Sequence, residues 1–362
     1  MAKLLKDLYN SQYILTLANS IKKHYDDFDI ELFETKVFDD TWSKKELKQR
    51  MRHISSTLKD FLPSSYERSI NILIDTFNDM NHDYYLENII FQDYVEVFGL
   101  DEFSVSMRAL ESFTVKCTSE FAIRQFILKY PQPTMKQMHV WALSVNEHHR
   151  RLSSEGCRPR LPWAIALSEF KKDASEIVKI LELLKDDESA YVRKSVANNL
   201  NDISKDNPSL VKRIAKKWLG ESDETDKLVK HACRTLLKQS DREILSLFGF
   251  RETENISLDD FKITQKVEWG GEVEFSFELS SKNSLGKLRV EYIMEFLRQN
   301  KKYSKKVFKI SEGSYNKKSK FILKKHSFKK ISTRKYYSGI QKLSIVINGK
   351  IYAKIDFILL NE

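Results

Sequence analysis

The feature that most constrains the fold of this chain is a change in hydrophobic period near residues 251–257. Before it, apolar residues recur at the spacing of α-helices, and all six prolines lie in this part of the chain. After it, apolar and polar residues alternate, as between Val273 and Leu279, which is the period of half-buried β-strands. We therefore predict a multidomain α-then-β protein, with a helical domain at 1–250, a linker at 251–257 and a β domain at 258–362.

The helical part contains an internal repeat. Val192, Val196 and Leu200 fall on one helical stripe, and Asp187 before this stripe has a counterpart 36 residues later in Asp223. Repeats of this length that are built from helix pairs are typical of HEAT-like repeats, so we predict an α-solenoid that presents a concave surface to an extended partner. The predicted helix pairs are Asp187–Ile203 with Ser209–Leu219, and Asp223–Gln239 with Asp241–Phe248.

The alternating part predicts an Ig-like antiparallel β-sandwich. Its apolar runs fit about seven short strands, the number that is typical of immunoglobulin-like domains. Asn348-Gly349 separates the last two runs and is a strong signal for a two-residue hairpin turn, because both residue types tolerate positive φ.

The basic excess of the chain lies entirely in this β part. The whole chain carries 61 Lys and Arg against 51 Asp and Glu, a net charge of +10, whereas residues 258–362 carry 23 against 11, a net charge of +12. Such lysines bind phosphate backbones without sequence preference and release counterions. The alternative is a set of solubilising charges on edge strands. The lysines that we predict to contact a polyanion are Lys301, Lys302, Lys305, Lys306, Lys317, Lys318, Lys324 and Lys325.

Three residues of the helical part are candidates for chemistry. Asp202 shares a polar stripe with Ser195 and Asn198, although a plain helix-end role is an equal alternative. Glu120 lies near a helix start, where a carboxylate also serves as a cap. Trp163 follows a proline at the expected start of a helix, so its indole either faces a partner from a rigid rim or packs in the core.

Four arginines bracket Gly156 in a segment that we expect to be a loop: Arg150, Arg151, Arg158 and Arg160. Guanidinium groups bind phosphates in a bidentate manner, so these arginines are candidates for phosphate contacts, as is Asn198. The alternative for the arginines is scattered surface charge.

Several classes of function lack their sequence signals. No run of about 18 apolar residues is present, so we expect no transmembrane helix, and the charged first ten residues do not resemble a signal peptide. The widely spaced Cys117, Cys157 and Cys233 predict buried thiols rather than a disulfide framework or a metal site. Since phosphate-loop, HExxH and nucleophile-elbow motifs are also absent, we expect no metal and no cofactor.

The sequence resembles the AlkC/AlkD superfamily of bacterial DNA alkylation-repair glycosylases, and the AlkC branch more closely. Some AlkC-type members carry a C-terminal Ig-like domain that AlkD-like proteins lack, so the two-part organisation favours AlkC. The matching segments span most of residues 1–250, and the last of them is the most specific: Leu4–Tyr9, Lys45–Ile54, Ser119–Arg124, Arg158–Trp163 and Ser195–Pro208.

This resemblance implies an activity and its residues. The helical repeats would clamp duplex DNA and hydrolyse the N-glycosidic bond of cationic bases, such as 3-methyladenine and 3-methylcytosine, without base flipping. Glu120, Trp163 and Asp202 match the family's catalytic positions. The expected partner is double-stranded DNA with alkylated bases, bound by a monomer of the bacterial cytosol or nucleoid with no membrane association. The alternative is a non-catalytic HEAT-repeat scaffold that binds DNA or protein.

The residue types suit this chemistry. A base that is methylated at N3 already carries positive charge and leaves without protonation. Carboxylates near the sugar stabilise the oxocarbenium-like charge, and one of them orients water. An indole face attracts the same developing cation.

Overall fold

The computed structural model describes residues 4–81, 83–251 and 255–361. Within this part of the chain a helical region precedes a strand-rich Ig-like region, which confirms the predicted fold class. The chain divides into two units, 1–207 with 218–232 and 208–217 with 233–362. The domain boundary at residue 250 stays a prediction. None of the described helices is long and apolar enough to cross a membrane.

The α-helices of the described residues are α1 (Ser11–His24), α2 (Ile30–Val37), α3 (Leu47–Phe61), α4 (Tyr66–Asp79), α5 (Ile89–Phe98), α6 (Phe103–Thr114), α7 (Ile123–Lys129), α8 (Pro131–Ala142), α9 (Glu147–Gly156), α10 (Ser168–Lys172), α11 (Ser175–Leu184), α12 (Ala190–Ile203), α13 (Pro208–Trp218), α14 (Asp223–Ala232), α15 (Arg234–Lys238) and α16 (Arg242–Leu247). Short 3₁₀ helices at Leu5–Leu8 and Trp42–Lys44 precede α1 and α3.

The first unit places three helices side by side, because α12 packs against α9 and also against α14. The predicted apolar stripe of α12, from Val192 to Ile203, is buried. The polar residues Ser195, Asn199 and Asp202 of the same helix are buried as well, at 3%, 0% and 2% exposure. A helix that is buried on its polar side needs polar partners, and α9 and the residues just after it supply them.

Several predicted boundaries in this region are wrong. Helix α12 begins at Ala190, because the Asp187 carboxylate accepts a hydrogen bond from the Ser189 backbone N–H in the turn before it (2.8 Å). The predicted helix Asp223–Gln239 is interrupted at Cys233, between α14 and α15. The segment around Gly156 that we expected to be a loop is the end of α9.

The second unit contains most of α13, together with α15, α16 and two β-sheets. The strands are β1 (Ile256–Ile263), β2 (Lys266–Val267), β3 (Glu272–Ser281), β4 (Gly286–Leu297), β5 (Tyr303–Tyr315), β6 (Ser319–Ser327), β7 (Gly339–Ile347) and β8 (Lys350–Leu359). One sheet has the order β1-β3-β6, and the other has the order β2-β8-β7-β4-β5, with a single parallel pair, β2 with β8, among the described strands.

The core of the sandwich confirms the alternating pattern. Val273, Phe275, Phe277 and Leu279 on β3 are all buried to 1% exposure or less and join one apolar cluster with alternate residues of β4. Of the predicted linker 251–257, residues 252–254 lie outside the described residues, and its last two residues belong to β1.

The predicted hairpin turn is confirmed between β7 and β8. Asn348 and Gly349 have φ values of 47° and 82°, as a two-residue turn of this kind requires. The Asn348 amide also donates to the carbonyl oxygens of Arg251 (2.9 Å) and Lys287 (3.1 Å), so the turn is fixed by side-chain as well as backbone geometry. A Cβ on Gly349 would lie 2.6 Å from Cδ1 of Leu245.

We expect Gly349→Ala to destabilise the protein more than Gly270→Ala does. Both glycines have positive φ, but a Cβ on Gly270 meets open space. Gly270→Ala therefore costs about 1 kcal/mol of backbone strain, and Gly349→Ala costs about 1–3 kcal/mol more because of overpacking against Leu245. Urea denaturation of the full chain measures both losses. Equal losses would contradict the contact between Gly349 and Leu245.

Candidate active site

Two carboxylates that the sequence singled out, Glu120 and Asp202, lie at the two ends of one network of charged side chains in the first unit. We call it the charge network. Its members alternate in sign along the series Glu120, Arg151, Glu155, Arg158, Asp202 and Lys205. The turn before α7 supplies the first residue, α9 and the residues after it supply the next three, and the end of α12 and its following turn supply the last two.

At one end of the charge network, Asp202 is bound by two cations of different kinds. Arg158 donates from Nε to Oδ2 of Asp202 (2.8 Å), and its Nη2 lies 2.7 Å from the same oxygen. Lys205 donates from Nζ to Oδ1 (2.8 Å). The Asp202 side chain is 3% exposed and that of Lys205 is 40% exposed. One carboxylate oxygen is therefore fixed by a buried guanidinium, and the other meets an ammonium group that reaches solvent.

Glu155 stands at the centre of the charge network and was not predicted from the sequence. Its Oε1 lies 2.5 Å from Nη1 of Arg158 and 3.6 Å from Nη2 of Arg151. Its Oε2 accepts a hydrogen bond from the Ser195 hydroxyl (2.6 Å), which links α9 to α12. The available signal was the spacing of Glu155 from Arg151 and Arg158, four and three residues apart.

Glu120 forms the other end of the charge network. Its Oε2 lies 2.5 Å from Nη1 of Arg151 and accepts a hydrogen bond from the Thr118 hydroxyl (2.9 Å). The Arg151 guanidinium lies 5.1 Å from the ring centroid of Tyr191 on α12. Arg151 therefore joins two carboxylates and rests on an aromatic face, so its position is fixed from several sides.

The charge network is balanced, with three carboxylates and three cations. Burial alone would lower the pKa of Arg158, but the Glu155 and Asp202 carboxylates raise the pKa above its ordinary value. The pKa of Arg151 is raised in the same way, since the carboxylates of Glu120 and Glu155 outweigh burial. Both guanidinium groups thus stay cationic, which a buried carboxylate needs in order to remain charged away from water.

Trp163 lies in the turn between α9 and α10, and not at a helix start as we expected, since α10 begins at Ser168. Its φ is 64°, and its side chain is exposed, with 71% relative exposure for the residue. The core-packing alternative is therefore wrong. The Lys48 ammonium on α3 donates a hydrogen bond to the Trp163 carbonyl and also lies 5.5 Å from the ring centroid of Phe121, next to Glu120.

Arg124 ties this turn to the end of α9, a role that the sequence did not reveal. The residue is fully buried and donates to the carbonyl oxygens of Gly156 (2.9 Å), Arg158 (2.8 Å) and Ile165 (2.8 and 2.5 Å). Burial lowers its pKa to about 10. One side chain therefore fixes the backbone that carries both Arg158 and Trp163.

The four arginines that we predicted to bind phosphate are all engaged with carboxylates. Arg150 binds Asp187 at 2.7 and 3.1 Å, and Arg160 binds Asp206 at 2.9 and 2.6 Å. Arg151 and Arg158 belong to the charge network. Of the four, Arg160 has the most exposed side chain, at 39%. Their role in DNA binding stays a prediction, as does that of Asn198, which is half-buried.

The eight predicted lysines are exposed, but they do not form one patch. Lys301 and Lys302 precede β5, whereas Lys317 and Lys318 follow it. Because β5 has 13 residues, the two pairs lie roughly 40 Å apart along the strand. Lys305 and Lys306 lie on β5, and Lys324 and Lys325 lie on β6, which belongs to the other sheet.

Cys117, Cys157 and Cys233 are buried free thiols, as predicted. Burial raises the pKa of the Cys157 thiol to about 12. Among the described residues, His, Cys, Asp and Glu form no group of three or more that could hold a metal ion.

We expect Arg158→Met to lower the free energy of unfolding by about 3–5 kcal/mol, because two buried carboxylates lose their nearest buried cation. Glu155 then keeps only Arg151 at 3.6 Å, and Asp202 keeps only the partly exposed Lys205. Arg160→Met is the matched control, since it removes an arginine from an exposed pair with Asp206. The control should cost about 0–1 kcal/mol. Urea denaturation followed by tryptophan fluorescence measures both values. A loss for Arg158→Met no larger than that of the control would contradict a buried network.

Comparison with known proteins places this site in a family. Residues 112–236 match the model described as DNA alkylation repair enzyme, and this range contains the whole charge network and Trp163. Residues 257–361 match the model described as the C-terminal Ig-like domain of the uncharacterised protein YhaZ. The YhaZ protein of Bacillus subtilis is 42% identical over 355 residues, which cover 98% of each chain.

A solved structure matches over the same extent. The alkylpurine DNA glycosylase AlkC of Pseudomonas fluorescens, bound to DNA containing an abasic site analogue, is 32% identical with a TM-score of 0.93, and the match covers 99% of this chain and 100% of that one. The resemblance inferred from the sequence is thus confirmed in both parts of the chain. This chain belongs to the AlkC type of the DNA alkylation repair enzyme family, in which helical repeats precede a C-terminal Ig-like domain.

Proposed function

We propose that this protein is a monofunctional DNA glycosylase that hydrolyses the N-glycosidic bond of cationic alkylated bases in duplex DNA. The observation that carries the proposal is the buried carboxylate of Asp202, which has one oxygen fixed by Arg158 and the other bound by the exposed Lys205. Support comes from the full-length similarity to an alkylpurine DNA glycosylase, at 32% identity.

Asp202 acts on charge in this proposal. A cationic base such as 3-methyladenine or 3-methylcytosine leaves without a proton, and positive charge then develops on the deoxyribose. Oδ1 of Asp202 accepts the hydrogen bond of Lys205 in the free protein (2.8 Å), so a cation already occupies the position that the sugar cation needs. Displacement of Lys205 brings the carboxylate against the developing charge, while Arg158 keeps Oδ2 fixed and limits reorganisation.

Glu155 and Glu120 extend the negative field of the site in this proposal. Glu155 is held by Arg158 and by the Ser195 hydroxyl, so it fixes the guanidinium that orients Asp202. Glu120 is 9% exposed and lies at the other end of the charge network. In this proposal one carboxylate of the charge network orients the attacking water and takes its proton. No pocket that reads the edge of the base is required, so the lesion is not flipped.

Trp163 is proposed to face the deoxyribose. Its indole is exposed, and its backbone is held by the Lys48 hydrogen bond to its carbonyl oxygen. Among the described residues, the indole has no ring or hydrogen-bond partner that would occupy its face. An aromatic face at this position attracts the cationic sugar.

The proposed partner is double-stranded DNA that contains alkylated bases, bound by a monomer in the bacterial cytosol or nucleoid. The exposed lysines of β5, β6 and their flanking turns contact phosphates in this proposal, which gives binding a marked salt dependence. DNA contacts are also proposed for five residues of the first unit, and their present hydrogen bonds must reorganise for this: Arg150, Arg151, Arg158, Arg160 and Asn198. Arg160 needs the smallest rearrangement of the four arginines, because its side chain is already 39% exposed.

A second candidate function is a non-catalytic scaffold that binds DNA or protein. The observation in its favour is that Glu120, Glu155 and Asp202 all have cationic partners, which is the arrangement of a structural ion-pair network. Such a protein would bind the same duplexes without releasing a base.

We expect Asp202→Asn to slow the release of methylated bases by about 10²–10³-fold, because the substitution removes one preorganised charge at the sugar. Binding to duplex DNA should change little, since Asp202 is buried and its side chain is replaced by an amide of the same size. Single-turnover release from methylated DNA, followed by chromatography of the free bases, measures the rate.

Lys205→Met is the matched control for this experiment. It removes the exposed cation from Oδ1 and leaves the Arg158 pair in place, so base release should be retained or faster. Full activity in Asp202→Asn would contradict the catalytic assignment. A loss of activity in Lys205→Met equal to that in Asp202→Asn would show that the network as a whole, rather than the Asp202 charge, is required.

A further inference from the structure

A basic cleft of about 710 Å³ lies in the second unit. The end of β4, the start of β5 and the segment before β7 form its walls. None of its lining residues belongs to the charge network or is matched by the DNA alkylation repair enzyme model. The lining residues that matter for the argument are Phe296, Arg298, Lys305, Lys306, Arg334 and Tyr337.

The cleft carries an excess of positive charge. Lys305 has a carboxylate partner, since its Nζ lies 3.6 Å from Oε1 of Glu295. Arg298, Lys306 and Arg334 have no carboxylate within ion-pair distance in the part of the chain that the structure describes. Three uncompensated cations around one recess attract an anion, and phosphate is the common biological anion that guanidinium groups bind best.

One wall of the cleft is formed by the planar guanidinium group of Arg334. The guanidinium of Arg334 lies 4.0 Å from the ring centroid of Phe296, which covers one of its faces. The guanidinium also lies 5.9 Å from the ring centroid of Tyr336, but Arg334 lines the cleft and is partly exposed, so part of its surface is accessible to a ligand. Nucleobases stack on guanidinium planes as well as on aromatic rings. The recess therefore combines a phosphate-binding rim with a plane on which a base can lie.

The floor beneath Arg334 consists of packed aromatic rings. Phe296 packs against Phe328 at 6.1 Å and Tyr336 at 5.8 Å between ring centroids, and it also contacts the ring of His326 at 5.8 Å. Burial lowers the pKa of His326 to about 4, with Arg334 and Lys306 adding to the effect, so its imidazole is neutral near pH 7. The cleft therefore takes its positive charge from arginine and lysine.

We propose that this cleft binds one unpaired nucleotide of a nucleic-acid strand, with its phosphate between Arg298 and Lys306 and its base stacked on Arg334. A paired base within a duplex has both faces covered by its neighbours, so a stacking plane in a recess selects an unstacked base. The volume suits a single nucleotide and its flanking phosphates, because ligand sites of this kind measure about 300–1,000 Å³. The site requires neither a lesion nor bond cleavage, so it does not depend on the proposed glycosylase activity. Two of its lining residues, Lys305 and Lys306, are shared with the lysines that are proposed to contact duplex phosphates.

The test compares two labelled probes that carry the same phosphates, bound to the full-length chain and followed by fluorescence anisotropy. One is an oligothymidylate about ten nucleotides long, and the other is an abasic strand of equal length. The key variant is Arg334→Lys, which keeps the positive charge and removes the planar guanidinium on which a base can stack. Lys262→Arg is the control, since Lys262 is exposed on β1, does not line the cleft and is not among the lysines proposed to contact DNA.

We expect the unmodified chain to bind oligothymidylate about tenfold more tightly than the abasic strand, which is the contribution of one stacked base. Arg334→Lys should abolish that preference without weakening the abasic complex, and Lys262→Arg should preserve it. Arg298→Gln, a change in an exposed turn, should weaken both complexes and reduce the salt dependence of binding.

Three results would overturn the proposal. Equal binding of the two probes by the unmodified chain would show that no base is stacked. An unchanged preference in Arg334→Lys would place the stacking elsewhere. Displacement of oligothymidylate by inorganic phosphate or by thymidine monophosphate at the same low concentration as by unlabelled oligothymidylate would identify a site for free phosphates rather than for a strand.

Discussion

The geometry of the candidate site depends on the ion pair between Arg158 and Asp202. A carboxylate that is 3% exposed has lost almost all of its contact with water, and it remains charged only beside a fixed cation. Arg158 satisfies this need with a hydrogen bond from Nε and the close approach of Nη2 to the same oxygen, and its Nη1 donates to Glu155. Because Glu155 in turn bonds Ser195 and Arg151, the same guanidinium connects α9, α12 and the turn that carries Glu120.

The packing of the helices makes this ion pair possible. A Cβ on Gly156 would lie 2.7 Å from Ile123 and 2.9 Å from Met138, so only glycine lets the end of α9 approach α7 and α8 this closely. The buried Arg124 then binds the carbonyl oxygens that follow. The chain leaves α9 in a fixed direction, which aims Arg158 at α12 and leaves Trp163 exposed in a left-handed turn. The polar neighbours of the site are consequently fixed by backbone contacts as well as by charge.

Local periodicity predicted much of the fold, because it records which side of an element is buried. The apolar stripe of α12, the alternation of β3 and the turn at Asn348 and Gly349 all depend on residues within a few positions of one another. The polar side of α12 could not be assigned in this way. Whether Asp202 faces solvent or another helix depends on α9, which lies about 45 residues earlier in the chain.

The arginines show the same limit. Four guanidinium groups near Gly156 suggested a phosphate-binding loop, since the sequence does not indicate that Asp187, Glu120, Glu155, Asp202 and Asp206 supply their partners. Glu155 was not predicted because the segment was expected to be a loop, where a glutamate between arginines is normally a solvated ion pair. The family resemblance identified Glu120 and Asp202 as candidates, whereas the connection between them became visible only in three dimensions.

The activity of the unmodified chain is tested most directly by incubating it with methylated duplex DNA and identifying the bases that are released over time. The proposed function predicts that 3-methyladenine accumulates in proportion to the amount of protein and that the DNA retains abasic sites without strand cleavage. A chain that binds the same duplex and releases no base above the protein-free control would contradict glycosylase activity and identify a scaffold.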